Sequence, residues 1–245
     1  MNSPQWREWE EALKKEYQSL MKNGTWKLVD RPKDESGRPV KVVTTGWVLK
    51  VKRDEHGEIL RYKARLVVHG YKQRFGFEYW KMYAPVVRWM TMLVVLLLAR
   101  LLGLDVDQID FETAFLNSDI DEAKIYVKQP AEFDDGTDRV CLLLKGLYGL
   151  KQAARLWYLT LHKQLKKLVL KRSVFDVGLY YKWIDGRSLM VTAYVDDMMI
   201  IGARKDIDQL KQDLQKKLAL KNMGRVHCLL GMEVNYVPGK SLSIS

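Results

Sequence analysis

Apolar residues recur along this chain at two spacings, and each spacing predicts a different element. Trp6, Trp9, Leu13, Tyr17 and Leu20 return every three or four residues, which places them on one stripe of an amphipathic helix; Ser3 and Pro4 open it, and Asn23 and Gly24 end it. Period two takes over further on. Trp47, Leu49 and Val51 alternate with Val48, Lys50 and Lys52, a turn falls at Asp54 to Gly57, and Ile59 to Val68 returns as the second strand of a hairpin. Between these regions Arg31 to Pro39, rich in Pro, Gly and charge, reads as a loop. The run Trp89 to Ala99 is apolar on every side and bounded by Arg88 and Arg100, which predicts a buried helix too short to span a bilayer. Asp105 to Asp110 reads as a strand, Glu112 to Asn117 as a short helical stretch, Ala153 to Leu170 as an amphipathic helix opened by a Gly-punctuated turn, and Asp206 to Leu220 as a last helix with Asp206 and Gln209 at capping-box spacing.

One feature breaks the hydrophobic pattern. Asp196 and Asp197 lie between the apolar runs Leu189 to Val195 and Met198 to Ile201, so paired carboxylates occupy the tip of a predicted hairpin. Asp suits turns in its own right. Like charges side by side also repel, and the arrangement becomes favourable when a divalent cation bridges them. Asp110, at the end of its own predicted strand, is a third carboxylate facing the same way out of the sheet. Three such groups on neighbouring strands are able to hold two Mg²⁺ ions about 4 Å apart, the requirement for in-line phosphoryl displacement.

Charge and composition narrow the partners. A formal charge of +11 favours a polyanion, and 47% hydrophobic residues in 245 supply ample core for one large domain or two small ones. On the returning strand of the hairpin, period two sets Arg61, Lys63 and Arg65 on one face and Leu60, Tyr62, Ala64 and Leu66 on the other. That cationic row is either a solvated face or a grip for phosphate oxygens. Lys163, Lys166, Lys167, Lys171 and Arg172 pose the same choice on the later helix. Cys141 and Cys228 are far apart and lack His or Cys partners at zinc spacing, so neither a disulfide framework nor a zinc site is expected, and a reducing compartment fits. No basic stretch followed by an apolar core opens the chain, so a secretory leader is not expected.

An ordered series of motifs runs through almost the whole chain: NGTWKLV from Asn23, GWVLKVK from Gly46, RYKARLVVHGY from Arg61, APVVR from Ala84, QIDFETAFLN from Gln108, IYVKQP from Ile125, LYGLKQAARLWY from Leu147 and YVDDMMIIG from Tyr194. With these motifs in this order the chain resembles the reverse transcriptase of copia-like LTR retrotransposons (Pseudoviridae type), in its palm and fingers portion. The resemblance implies an α+β fold, a right-hand polymerase palm of a small antiparallel sheet backed by helices, with a β-rich fingers subdomain. Its expected division is a docking helix over 1–22, fingers over 23–103 with 118–147 returning to them, palm over 104–117 and 148–234, and the start of a thumb or connection, cut short, over 235–245.

The same resemblance assigns roles. Asp110, Asp196 and Asp197 would be catalytic and would hold two Mg²⁺ ions, or Mn²⁺ in their place, with the backbone carbonyl of Phe111 as a further ligand. Lys63, Arg65, Tyr148, Gly149 and Lys151 would receive the incoming nucleotide. Phe115 would lie beneath its sugar and exclude a 2′-hydroxyl, unless the ring is only a core contact. Tyr194, Leu230, Gly231 and Met232 would support the primer end. Expected partners are an RNA template, a DNA primer-template and dNTPs, with no membrane, inside a larger Gag-Pol-like polyprotein of a cytoplasmic virus-like particle, with the nucleus as the alternative location. Leu93 stands where relatives often carry Arg, and Lys124 and Lys128 lie in a segment more often acidic. Two other functions compete with the polymerase: a catalytically silent retroelement remnant that at most binds nucleic acid, and another palm-fold nucleotidyl enzyme such as a cyclase.

Overall fold

The computed structural model describes residues 5–54, 56–121 and 123–245. Helix α1 (Trp6–Lys22) precedes strand β1 (Trp26–Val29) and the hairpin of β2 (Thr45–Arg53) and β3 (Ile59–Val68). Helix α2 (Trp89–Leu102) leads into β4 (Asp105–Phe111), and the short strands β5 (Tyr126–Val127) and β6 (Val140–Leu143) come before helix α3 (Ala153–Lys167). Strands β7 (Lys171–Arg172), β8 (Leu179–Ile184), β9 (Arg187–Tyr194) and β10 (Asp197–Gly202) follow, then helix α4 (Arg204–Gln215) and strands β11 (Leu220–Arg225), β12 (Cys228–Leu229), β13 (Met232–Val237) and β14 (Ser241–Ile244). The chain forms two compact units, one from Met1–Tyr83 and Phe115–Leu156, the other from Ala84–Ala114 and Trp157–Ser245.

In the first unit β6 pairs antiparallel with both β1 and β5, and β2 and β3 form a ribbon of their own. The ribbon's turn is tied by Asp54, whose Oδ1 accepts from the N–H groups of His56 and Glu58. Helix α1 lies along β3, with Trp9 edge-on to Tyr62 at 4.6 Å between ring centroids. It ends where expected: Gly24 takes a φ of 60°, and the Thr25 hydroxyl donates to Leu20 O at 2.7 Å. The Ser3 and Pro4 start signal lies outside the described residues. Leu20, Val43, Leu66, Val68, Ile125, Leu143 and Leu147 build the core of this unit, and each such side chain removed from water contributes about 2 kcal/mol.

The second unit is organised by one antiparallel sheet of order β11-β4-β10-β9-β8-β7. Alternation along β4 divides its residues between two faces. Val106 is on one, packed with Met199 and Ile201 of β10, the inner stripe of α2, and Val234 and Tyr236 of β13. Phe111 is on the other, edge-on to Trp157 of α3 at 4.9 Å, and Asp107 reaches α4 from the same side. Strand β14 pairs with β13 in a separate three-stranded sheet with β12.

Several elements depart from expectation. Helix α2 buries Met92, Val95, Leu96 and Ala99, yet Met90, Val94, Leu97, Leu98, Leu101 and Leu102 remain exposed. A helix laid on one side of a sheet buries only one stripe, whatever the composition of the rest. Residues 112–117 form no α-helix: Glu112 and Thr113 make a turn, Thr113 with a φ of 49°, and Ala114–Asn117 is a single 3-10 turn. Six residues are too few to offset the cost of nucleating a helix. Helix α3 stops at Lys167, three residues early, and Val169 adopts a φ of 64°. Helix α4 begins at Arg204 with Ala203 as N-cap and no side-chain cap, because the Asp206 carboxylate accepts from Arg187 Nε at 3.3 Å instead; it ends at Gln215, and Leu220 already belongs to β11.

Candidate active site

The β9–β10 hairpin closes on a two-residue turn, Val195 and Asp196, with Tyr194 and Asp197 paired across its base. Val195 holds a φ of 56°, a conformation that a β-branched residue adopts at a cost of about 1–3 kcal/mol. Two donors keep it there. Trp157 Nε1–H donates to Val195 O at 2.7 Å, and Phe111 N–H donates to Asp196 O at 3.0 Å. The turn is thereby pinned to α3 and to the end of β4 through its main chain.

Pinning sets the register that matters. Asp197 lies directly opposite Asp110 of β4, and Lys221 of β11 lies opposite Asp110 on the other side. Directly opposed residues share a sheet face with Cβ atoms about 5 Å apart, so the two carboxylates face each other. Both are half-buried. Burial pushes the Asp197 carboxyl up from its ordinary value; the amide of Gln108 partly offsets this, and the Asp196 charge adds to it. Gln108, two residues before Asp110 on the same face and itself buried, donates from Nε2 to Asp197 Oδ1 at 3.3 Å, while its Oε1 is buried with no hydrogen-bond partner among the described residues.

These residues suit a hard divalent cation. Two opposed like charges, one of them held in the wrong direction by burial, are relieved by a positive ion, and the orphaned Gln108 oxygen is an acceptor suited to a coordinated water. Among the described residues no three His, Cys, Asp or Glu side chains form a single ion-binding group as they stand. Asp197 belongs to the strand and shares the face of Asp110, and Asp196 belongs to the adjoining turn.

The other expected residues fall into two groups. Lys63, Arg65, Phe115, Tyr148, Gly149 and Lys151 are all in the first unit. There the Arg65 guanidinium stands 4.8 Å from the Tyr148 ring centroid, and that ring is edge-on to Phe115 at 4.8 Å. Tyr148 O accepts from Val68 N–H at 2.8 Å, and Gly149, with a φ of 87°, passes so close that a Cβ would come within 2.0 Å of Val68 O. Lys151 N–H donates to Gln73 Oε1 at 2.8 Å. Burial lowers the Lys63 ammonium below its ordinary pKa, helped by the charges of Arg65, Arg61 and Lys52, with Glu16 opposing them. The second group is in the second unit. Tyr194 adjoins the carboxylates, while Leu230 and Gly231, with φ values of 51° and 88°, form the tip of the β12–β13 hairpin and Met232 opens β13, on a different sheet from the aspartates.

Sequence reasoning missed Gln108, Trp157 and Lys221. Gln108 could have been found from its period-two relation to Asp110. The other two could not, because only the fold brings α3 under the turn and β11 beside β4.

A strained hairpin here presents one carboxylate directly opposite another on the neighbouring strand of an antiparallel sheet. A family model described as reverse transcriptase (RNA-dependent DNA polymerase) matches residues 23–242, and the chain belongs to that family. The curated relatives it matches include Pol polyproteins of transposons. The chain is 39% identical over 238 residues to the retrovirus-related Pol polyprotein from transposon TNT 1-94 of Nicotiana tabacum, covering 96% of this chain and 18% of that polyprotein. Against the retrovirus-related Pol polyprotein from transposon RE2 of Arabidopsis thaliana it is 34% identical over 236 residues, covering 94% of this chain and 16% of the relative. The putative transposon Ty5-1 protein of Saccharomyces cerevisiae is 37% identical over 139 residues, covering 56% of this chain and 45% of that protein. The chain thus spans less than a fifth of the length of the two plant polyproteins. Among the described residues no helix is long and apolar enough to cross a membrane.

Proposed function

We propose that this chain is the polymerase portion of a copia-like Pol polyprotein, with palm and fingers subdomains, and that it adds deoxynucleotides to a primer 3′-hydroxyl under the direction of an RNA or DNA template. The observation that carries the reading is the register that sets Asp197 opposite Asp110 beside a turn held in a strained conformation. Asp110, Asp196, Asp197 and the Phe111 carbonyl would hold Mg²⁺, with Mn²⁺ able to replace it. When bound, such ions supply charge neutralisation at the attacking and departing oxygens. The chain's own residues do the rest. Trp157 and Phe111 hold the carboxylates' backbone in place before any ligand arrives, and Gln108 orients Asp197. Lys63 and Arg65 neutralise triphosphate oxygens, and the cation–π contact with Tyr148 restricts the Arg65 fork to a narrow range of orientations. The close approach that only Gly149 allows fixes Tyr148, and Tyr148 in turn steadies Phe115 for a role against the sugar. Leu230, Gly231, Met232 and Tyr194 support the primer end.

The test is primer extension on an RNA template with dNTPs and Mg²⁺ at low salt, comparing the wild type with Asp196→Asn plus Asp197→Asn. Incorporation by the wild type and a loss of at least about a thousandfold in the double variant is the expected result. No incorporation by the wild type would leave a silent remnant that at most binds nucleic acid, and incorporation without a template would point to another nucleotidyl enzyme.

A further inference from the structure

The segment from Tyr71 to Tyr83 in the first unit plays no part in the functions assigned above, and it combines two properties that rarely occur together. It is tightly held. Gln73, buried, donates from Nε2 to Gln152 Oε1 at 3.1 Å and accepts from Lys151 N–H, while Gln152 Nε2 donates to Glu78 O at 2.8 Å. The buried Glu78 carboxylate accepts from Arg74 N–H at 2.7 Å and from the Arg74 guanidinium at 3.0 and 3.2 Å. Yet this framework serves to hold aromatic rings in water: Tyr71, Phe75, Phe77 and Tyr83 are 72, 68, 66 and 75% exposed.

Exposed rings on a rigid loop are unfavourable unless a ligand covers them, and the charges around them say which ligand. Lys72, Arg74 and Lys81 are interleaved with the rings and exposed, Arg74 standing 4.6 Å over Phe77. The segment's only acid, Glu78, is turned inward and neutralised by Arg74. Its outward surface therefore offers apolar π-faces and positive charge, with no exposed carboxylate. A protein-binding patch is depleted of lysine at its centre, and a solvated loop has no need of rings. Faces for bases alternating with cations for phosphates are what an unpaired nucleic-acid strand requires.

We propose that residues 71–83 form a stacking platform for an unpaired stretch of nucleic acid, with bases on Phe75, Phe77 and Tyr71 and phosphates on Lys72 and Lys81. The choice of polymer rests on the polymerase reading, and the test is therefore a binding measurement without metal or nucleotide, so that failed stacking and failed polymerisation are read separately. Fluorescence anisotropy compares a single-stranded oligothymidylate with an abasic sugar-phosphate strand of equal length and charge. The wild type binds the base-bearing strand about tenfold more tightly or better. Phe75→Ala with Phe77→Ala brings the two affinities together and leaves the salt dependence unchanged, whereas Phe75→Tyr with Phe77→Tyr, which keeps the rings, retains the preference and guards against a folding artefact. Lys72→Gln with Lys81→Gln weakens both strands and flattens the salt dependence. A wild type that binds neither strand or does not distinguish them, or an alanine pair that keeps the full preference, overturns the proposal. So does an alanine pair that abolishes self-association in sedimentation while leaving oligonucleotide affinity intact, which would make the patch a protein contact.

Discussion

At the scale of single residues, Gln108 and Phe115 show how much a site depends on neighbours of its acids. Gln108, itself buried, donates its amide N–H to Asp197. Gln108→Leu keeps the volume and removes the amide, so under the polymerase reading Asp197 turns more freely and divalent-ion affinity falls about tenfold, as it does for other groups that orient a ligand from behind. Titration of Mn²⁺ followed by electron paramagnetic resonance checks this without any turnover; unchanged affinity would make the amide a packing element alone. Phe115 stands edge-on to Tyr148, half-buried, and two roles remain open to it. Under the polymerase reading, Phe115→Ala admits ribonucleotides, and competition between rNTPs and dNTPs in primer extension measures the gain. Unchanged sugar discrimination would return the ring to the core. Phe115 was legible as chemistry only through the resemblance that the motif around Asp110 carries, since a Phe in a short turn does not announce itself by pattern, whereas Gln108 went unread although it lies at strand spacing from Asp110.

At the scale of elements, α4 is fastened to the sheet by charge inside an apolar layer. Asp107, 2% exposed, accepts from Arg204 at 2.7 and 2.9 Å and from the buried Lys211, which also donates to Asn222 Oδ1 at 2.9 Å. Burial alone would push the Asp107 carboxyl up, but hydrogen bonds and charge from Arg204 and Lys211 outweigh it and hold the group below the usual carboxylate range. The sign follows: this contribution is full above the unfolded carboxylate's pKa near 4 and is lost as pH falls through the lower folded value, so the pair adds to acid sensitivity below about pH 4. Asp107→Asn leaves Lys211 buried without its counter-charge and costs about 3 kcal/mol, read from the midpoint of urea unfolding. An unchanged midpoint would mean that water replaces the carboxylate. This tie also explains a misreading. Asp206 and Gln209 have the spacing of a helix start, but the carboxylate that would cap is claimed by Arg187 at the start of β9. Alternation sufficed to read the β2–β3 ribbon, and short apolar runs broken by Asp196 and Asp197 sufficed for β9 and β10, to within a residue or two, because strand faces are written locally. The exposed side of α2 was not readable, because apolar composition does not say which stripe finds a partner.

At the scale of the molecule, the chain passes between its two units at residues 83/84, 114/115 and 156/157. Each unit closes its own core, and each collects part of the residues that the motif series marks out: acids in one, cations and rings in the other. The family was legible from motif order alone, for a series running from Asn23 to Gly202 constrains far more than any single element. The membership of particular segments was not legible, since contacts between residues a hundred positions apart leave no trace in local periodicity. Asp110 and Asp197 become neighbours only when β4 and β10 pair.

The hold on the Val195–Asp196 turn falls entirely on carbonyl oxygens, which every amino acid possesses. The side chain at 195 can therefore change without releasing the grip, whereas the grip on its carbonyl depends on the indole N–H at 157. The memory of where the acids belong is stored some forty positions upstream of them, on a helix that carries no chemistry of its own.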